Sequence, residues 1–132
     1  MATFQRFEDI EAWQFAREIS KEVYRLSGIG MFAKDFELKG QMRASSGSMM
    51  DNVAEGFDRR SKHEFVQFLT IGKGSAGELK SQLYRAVDNN FISQNDFDGL
   101  YAKADKYTKM ISGLIMYLNK SDIKGLKFKN RV

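Results

Sequence analysis

The 132-residue chain has no cysteine, no proline and one histidine. Without cysteine there can be no disulfide, thiolate metal site or cysteine nucleophile, and a reducing compartment is the fitting one. Without proline, where ordinary usage of about 5% would supply some six, nothing interrupts a long helix. The single histidine, His63, removes most of the remaining site chemistry. A di-iron carboxylate bundle needs two Glu-x-x-His pairs on facing helices, and Arg60 stands three residues before His63. Ser-His-Asp catalysis would have to use the same histidine, which opens a helical segment with no serine in a strained elbow beside it. The expectation is therefore no catalytic residue, no metal, no cofactor and no enzyme activity. No run approaches about 18 uncharged apolar residues, so no membrane span is expected. No apolar stretch follows a basic start, so no secretory signal is expected either. A cytoplasmic protein fits these absences.

What is present is charge, unevenly placed. Lys120, Lys124, Lys127, Lys129 and Arg131 face Asp122 alone in residues 120–132, and this segment carries the whole net charge of +4. Residues 1–119 balance. The expected organisation is a helical domain over 1–119 and a basic C-terminal tail over 120–132. Such a tail suits contact with phosphates, or simply keeps a solvated terminus soluble.

Four segments carry an apolar stripe at the 3.6-residue period. The first spans roughly residues 5–26, through Ile10, Trp13, Ala16, Ile19, Val23 and Leu26, with Gly28 placed for a left-handed cap. The second runs from about Asp35, an N-cap candidate, to Glu55, with Gly56 as its stop. The third opens on Ser61-Lys62-His63-Glu64, a capping-box pattern, and continues to about Asn89. The fourth begins at Ser93 or Asn95 and ends near Asn119, on Phe97, Leu100, Ala104, Tyr107, Ile111, Leu114 and Leu118. Short connections make successive helices antiparallel neighbours. The fold class is all-α, an antiparallel up-down-up-down four-helix bundle.

One stretch resists this pattern. SSGSMMDNVAEG, residues 45–56, lies inside the second helix yet costs about 2–3 kcal/mol in helix propensity against alanine. Ala44, Ser48, Asn52 and Gly56 recur every fourth residue, a small polar strip on one face. Gly72, Ser75 and Ala76 give the third helix a matching strip, with Glu78 nearby. Two such strips let backbones approach closely. Asn52 and Ser48 are expected to hydrogen-bond across to Ser75 or Glu78 and fix the register of the two helices. GKGSAG, residues 72–77, has the G-x-G-x-x-G spacing of a dinucleotide loop, but the helical period passes through it and no set of strands surrounds it, so the nucleotide reading fails. Arg59, Arg60, Lys62 and His63 cluster at the turn between these helices, with Phe57 beside them. That cluster could grip a phosphate backbone and stack a base, or be a solvated turn.

QMRASSGSMMDNVAEG, residues 41–56, resembles the signature of the four-helix-bundle proteins encoded in intervening sequences of bacterial 23S ribosomal RNA. Val53 stands where that family usually has isoleucine. FEDIEAWQFAREIS at the start is similar to the family's opening helix, and Phe65-x-x-Phe68-Leu69 followed by Gly74-Ser75-Ala76-Gly77-Glu78-Leu79 resembles its third. The resemblance covers about residues 4–119. It implies a closed homo-oligomer, a pentameric ring with a central channel, and no catalysis. It also implies kinship with accessory proteins of diversity-generating retroelements, which pair with a reverse transcriptase and bind nucleic acid. The motif residues fall on Ser48, Asn52, Glu55, Gly56, Ser75 and Glu78, with structural roles foremost. Arg59, Arg60, Lys62, Lys124, Lys127, Lys129 and Arg131 are the candidates for contact with RNA or DNA. The alternative is a scaffold or accessory subunit for a protein partner such as a reverse transcriptase.

Overall fold

The four apolar stripes become four α-helices in the computed structural model, which describes residues 4–120. They are α1 (Glu11–Ser27), α2 (Phe36–Asp58), α3 (Lys62–Asp88) and α4 (Gln94–Lys120). Short 3-10 turns at Phe7–Asp9 and Phe32–Lys34 precede α1 and α2. Side-chain oxygens start three of the helices. Asp35 accepts from the Leu38 amide at 2.9 Å, Ser61 from Glu64 at 3.3 Å and Ser93 from Asp96 at 3.0 Å. Each satisfies an amide that the first helical turn leaves without a partner.

Cross-helix pairs establish the antiparallel order. Along α2, Gln41, Ser48 and Gly56 meet Arg85, Ser75 and Phe68 of α3 in descending sequence. From α3 to α4, Tyr84 meets Phe97 and Lys80 meets Asp105. Arg43 of α2 reaches back to Ser27 at the end of α1, and α1 closes the square against α4. The core is the union of the four stripes, from Ile10, Ile19 and Val23 through Met42, Met49 and Val53 to Leu69, Leu79, Tyr107 and Ile111.

The structure departs from the sequence expectation at three boundaries. Residues before Glu11 are not part of α1: the Asp9 carboxylate takes the amides of Gln5 and Arg6 at 3.1 and 3.2 Å, and this local bonding competes with helix. Gly28 has φ −95°, and the left-handed residue is Gly30, φ +57°. Gly56 does not stop α2, which runs on to Asp58. There the chain reverses through Arg60, held at φ +58°.

Candidate nucleic-acid interface

The α2–α3 turn consists of Arg59, Arg60 and Ser61. Arg59 is already engaged. Its guanidinium donates to Glu55 at 3.0 Å, lies 3.5 Å from Glu64 and covers the Phe68 ring at 5.1 Å. Asp51, Glu55 and Asp58 line a surface hollow beside it, three carboxylates to one cation. That field disfavours a phosphate at Arg59. Arg60 and His63 are exposed and Lys62 is half-buried. Phe57 cannot stack a base: it is fully buried, edge-on to Phe65 with ring centroids 6.0 Å apart. Lys124, Lys127, Lys129 and Arg131 lie outside the described residues. The last helix nevertheless ends, at Lys120, on the same end of the bundle as the Arg59–Arg60 turn, because α3 carries the chain away from that end and α4 brings it back.

The motif residues form the α2–α3 seam. Asn52 Nδ2 donates to the Ser48 carbonyl at 2.9 Å and to Ser48 Oγ at 2.8 Å. Ser48 Oγ lies 2.7 Å from Ser75 Oγ, which also lies 3.2 Å from the Ile71 carbonyl oxygen. Either hydroxyl can be the donor in that pair. If Ser75 gives its one hydrogen to Ile71, Ser48 donates to Ser75 while accepting from Asn52; if Ser75 gives it to Ser48, Ser48 accepts from both. In both cases the crossing bond joins Ser48 and Ser75. Asn52 stays on its own helix, and Glu78 is exposed on the rim of the groove that Ser48 and Ser75 line. Glu55 is exposed too, paired with Arg59.

Two glycines make the close approach possible. A Cβ on Gly56 would lie 2.8 Å from Phe68 Cβ and 3.0 Å from Phe65 Cδ1. A Cβ on Gly72 would lie 2.6 Å from the Tyr107 hydroxyl. Tyr107, fully buried, sends that hydroxyl from α4 between the other two helices to donate to the Met49 carbonyl at 2.8 Å. Burial pushes its phenol pKa well above the usual tyrosine range. GKGSAG is therefore mid-helix, and only its first glycine answers a packing demand; at Gly74 and Gly77 an added Cβ would meet open space. The propensity cost of residues 45–56 is offset by this seam. Ser46, also buried, satisfies its hydroxyl on the Met42 carbonyl at 3.0 Å.

A second cationic surface escapes the sequence reading. Arg17, Lys21 and Arg25 of α1, with Ser20 and Tyr24, border a shallow groove whose far wall is Met50 of α2. The signal within α1 is a cation every fourth residue beside the buried stripe. The groove itself depends on α2 packing alongside, which no local pattern reveals. Among the described residues, no group of three or more His, Cys, Asp or Glu is placed to hold a metal ion, and no helix is long and apolar enough to cross a membrane.

Comparison with known proteins agrees with this architecture. The family model for the 23S rRNA-intervening sequence protein matches residues 8–113. No curated protein matches the chain. A crystal structure of a protein of unknown function from the S23 ribosomal protein family of Bacteroides thetaiotaomicron superposes with a TM-score of 0.72. It is 18% identical, over 80% of this chain and 95% of that one, a likeness that shows the fold.

Proposed function

Since the chain belongs to the 23S rRNA-intervening sequence protein family, we propose that it acts without catalysis, as a homo-oligomer that binds nucleic acid, RNA foremost, through basic surfaces. The observation that carries this reading is that the basic segment 121–132 follows directly on α4, whose last residue lies at the same end of the bundle as Arg60 and Lys62. The α2–α3 turn supplies Arg60 there, α3 opens there on Lys62, and α4 ends there at Lys120, after which the basic segment 121–132 begins. A closed ring, a pentamer by preference, would repeat a modest charge of +4 on every subunit, so weak phosphate contacts would act together.

A second reading has its own observation. At the opposite end of the bundle Ile29, Met31 and Phe36 are exposed by 55%, 66% and 75%, and such a concentration of exposed apolar side chains suits a protein partner. A reverse transcriptase is one such partner, with RNA binding then incidental. The two readings separate by salt. Anisotropy of labelled RNA with the full-length chain, and with a chain ending at Asn119, would be measured across a salt series, with light scattering on the same samples. Affinity that falls steeply with salt and drops without the tail supports nucleic-acid binding. An intact oligomer that binds no RNA at low salt overturns it and moves the search to protein partners.

A further inference from the structure

We propose that the groove between α1 and α2 seats single-stranded nucleic acid, with phosphates along Arg17, Lys21 and Arg25 and a base against Tyr24. This rests on the nucleic-acid reading above and assigns it a place that the turn and tail do not provide.

The groove is lined by Arg17, Ser20, Lys21, Tyr24, Arg25 and Met50: three cations, a ring, a thioether and a hydroxyl, with no carboxylate. It is thus the electrostatic opposite of the hollow beside Arg59. The three cations are spaced by four residues, so they follow one another about every 6 Å along the helix axis. A strand laid along α1 meets a positive charge at each step. Lys21 and Arg25 do have carboxylates nearby, Glu18 at 3.7 Å and Glu22 at 2.6 Å, but neither acid lines the groove. Exposed pairs of this kind contribute little and exchange readily for a phosphate.

Tyr24 supplies what charge alone cannot. Its ring is half exposed, and the Arg43 guanidinium sits 4.3 Å from its centroid. Arg43 is itself fixed: its Nε donates to the hydroxyl of the fully buried Ser27 at 2.9 Å, and its Nη2 to the Tyr24 carbonyl at 3.4 Å. The ring is therefore braced from one side before any ligand arrives, which lowers the ordering cost of stacking. An aromatic face flanked by cations is the platform on which unpaired bases stack, whereas a duplex keeps its bases inside. The choice of single strand over duplex follows from that ring.

The test is anisotropy of a short labelled single-stranded RNA of mixed sequence with the full-length protein across a salt series. Arg17→Gln/Lys21→Gln/Arg25→Gln should lower the slope of log affinity against log salt by about 2, since each single-strand phosphate contributes roughly 0.7. Tyr24→Ala should weaken binding by about tenfold with the slope kept, the signature of lost stacking. Duplex RNA of the same sequence should bind less tightly and ignore Tyr24→Ala. All these positions are exposed, and an unchanged helical circular dichroism would certify each variant. If wild type binds but both variants match it, or if the slope falls only on replacing Arg60 and Lys62, the groove is wrong and the broader reading stands. If the triple variant loses oligomer mass while its RNA affinity holds, the groove is a subunit contact and the inference falls. If wild type binds no RNA, both fall together.

Discussion

Where α2 meets α3, Ser48, Asn52, Gly56, Gly72 and Ser75 line the approach; where the start of α1 meets α4, Ala12, with Phe4 and Ile10 just before the helix, lies across from Leu114 and Tyr117. The first seam is small and polar at these positions, with an added Cβ at Gly56 or Gly72 falling within 3.0 Å of a neighbouring side chain. The second is large and apolar and borders a cleft of about 210 Å³ against Met110 and Gly113, while the first opens on its outer side to a polar groove of about 520 Å³ lined by Ser48 and Ser75. Both seams bury surface. They differ in what they specify. A seam of small residues brings two backbones together, so an added methyl collides, and its hydroxyls pair only in one register. A seam of large apolar side chains gains its stability from area and tolerates imperfect fit. One side of this bundle sets the geometry, and the other closes it.

The sharpest way to break the comparison is to add one carbon to each seam. Gly72→Ala should destabilise the protein by about 1–3 kcal/mol: about 1–3 for overpacking a full core, plus about 1 for the Tyr107–Met49 bond put at risk, less about 1 of helix propensity gained. The new Cβ would sit 2.6 Å from the Tyr107 hydroxyl and 3.5 Å from Asn52 Cβ, so α4 must shift or the Met49 bond must break. Urea denaturation monitored by circular dichroism measures it, and a neutral result would mean that the seam is not close-packed.

Tyr107→Phe comes next, with a loss of about 1–2 kcal/mol at neutral pH for the bond to Met49. The sign of its pH dependence follows from the raised phenol pKa. A group whose folded pKa is raised stabilises fully below its unfolded value, near 10 for tyrosine, and loses that contribution as pH rises beyond it. The advantage of wild type over Tyr107→Phe should therefore be constant around neutrality and shrink above about pH 10. Denaturation midpoints of the pair on both sides of that value test it.

These residues also show how far the sequence could be read. Periodicity found all four helices because burial repeats every three or four residues, and each apolar residue named for the α4 stripe is buried. The oddity of residues 45–56 was visible, and so was the small strip facing it. Which hydroxyl crosses to which was not, because Asn52 had the Ser48 carbonyl of its own helix within reach. The role of Gly72 depends on a tyrosine 35 positions later in the chain, and no local rule links the two. Gly56 was misread as a stop because a glycine that ends a helix and a glycine that admits a neighbouring ring look alike in one dimension, whereas Gly28 does cap α1, without the left-handed conformation expected of it. The basic turn was legible as charge, but the acids folded against Arg59 were not.

The polar seam is not perfect, and its flaw yields the third test. Gln82 is buried on α3 about two turns beyond Ser75, lining the same groove, and its Oε1 is buried without a hydrogen-bond partner. A buried unpaired acceptor costs more than an apolar group of the same shape. Gln82→Met should raise stability by about 1 kcal/mol, read as a higher urea midpoint at unchanged slope. A loss instead would mean that the amide is satisfied in solution, and light scattering on both proteins would show whether a second subunit satisfies it.

The smallest effect completes the contrast with Gly72. Gly113 lies in α4 on the wall of the α1–α4 cleft, exposed, and an ideal Cβ there meets nothing within 4 Å. A glycine inside a helix costs about 0.5–1 kcal/mol against alanine through backbone entropy, and here no packing demand offsets the cost. Gly113→Ala should therefore stabilise by about that amount, where the same chemical change at Gly72 destabilises. The sign carries the argument more than the size. Two helical glycines given the same methyl should move the unfolding midpoint in opposite directions, because one faces Tyr107 across a closed seam and the other faces an open cleft. If both substitutions moved it downward, the α1–α4 side would be packed as tightly as the α2–α3 side, and the division of labour between the two seams would be gone.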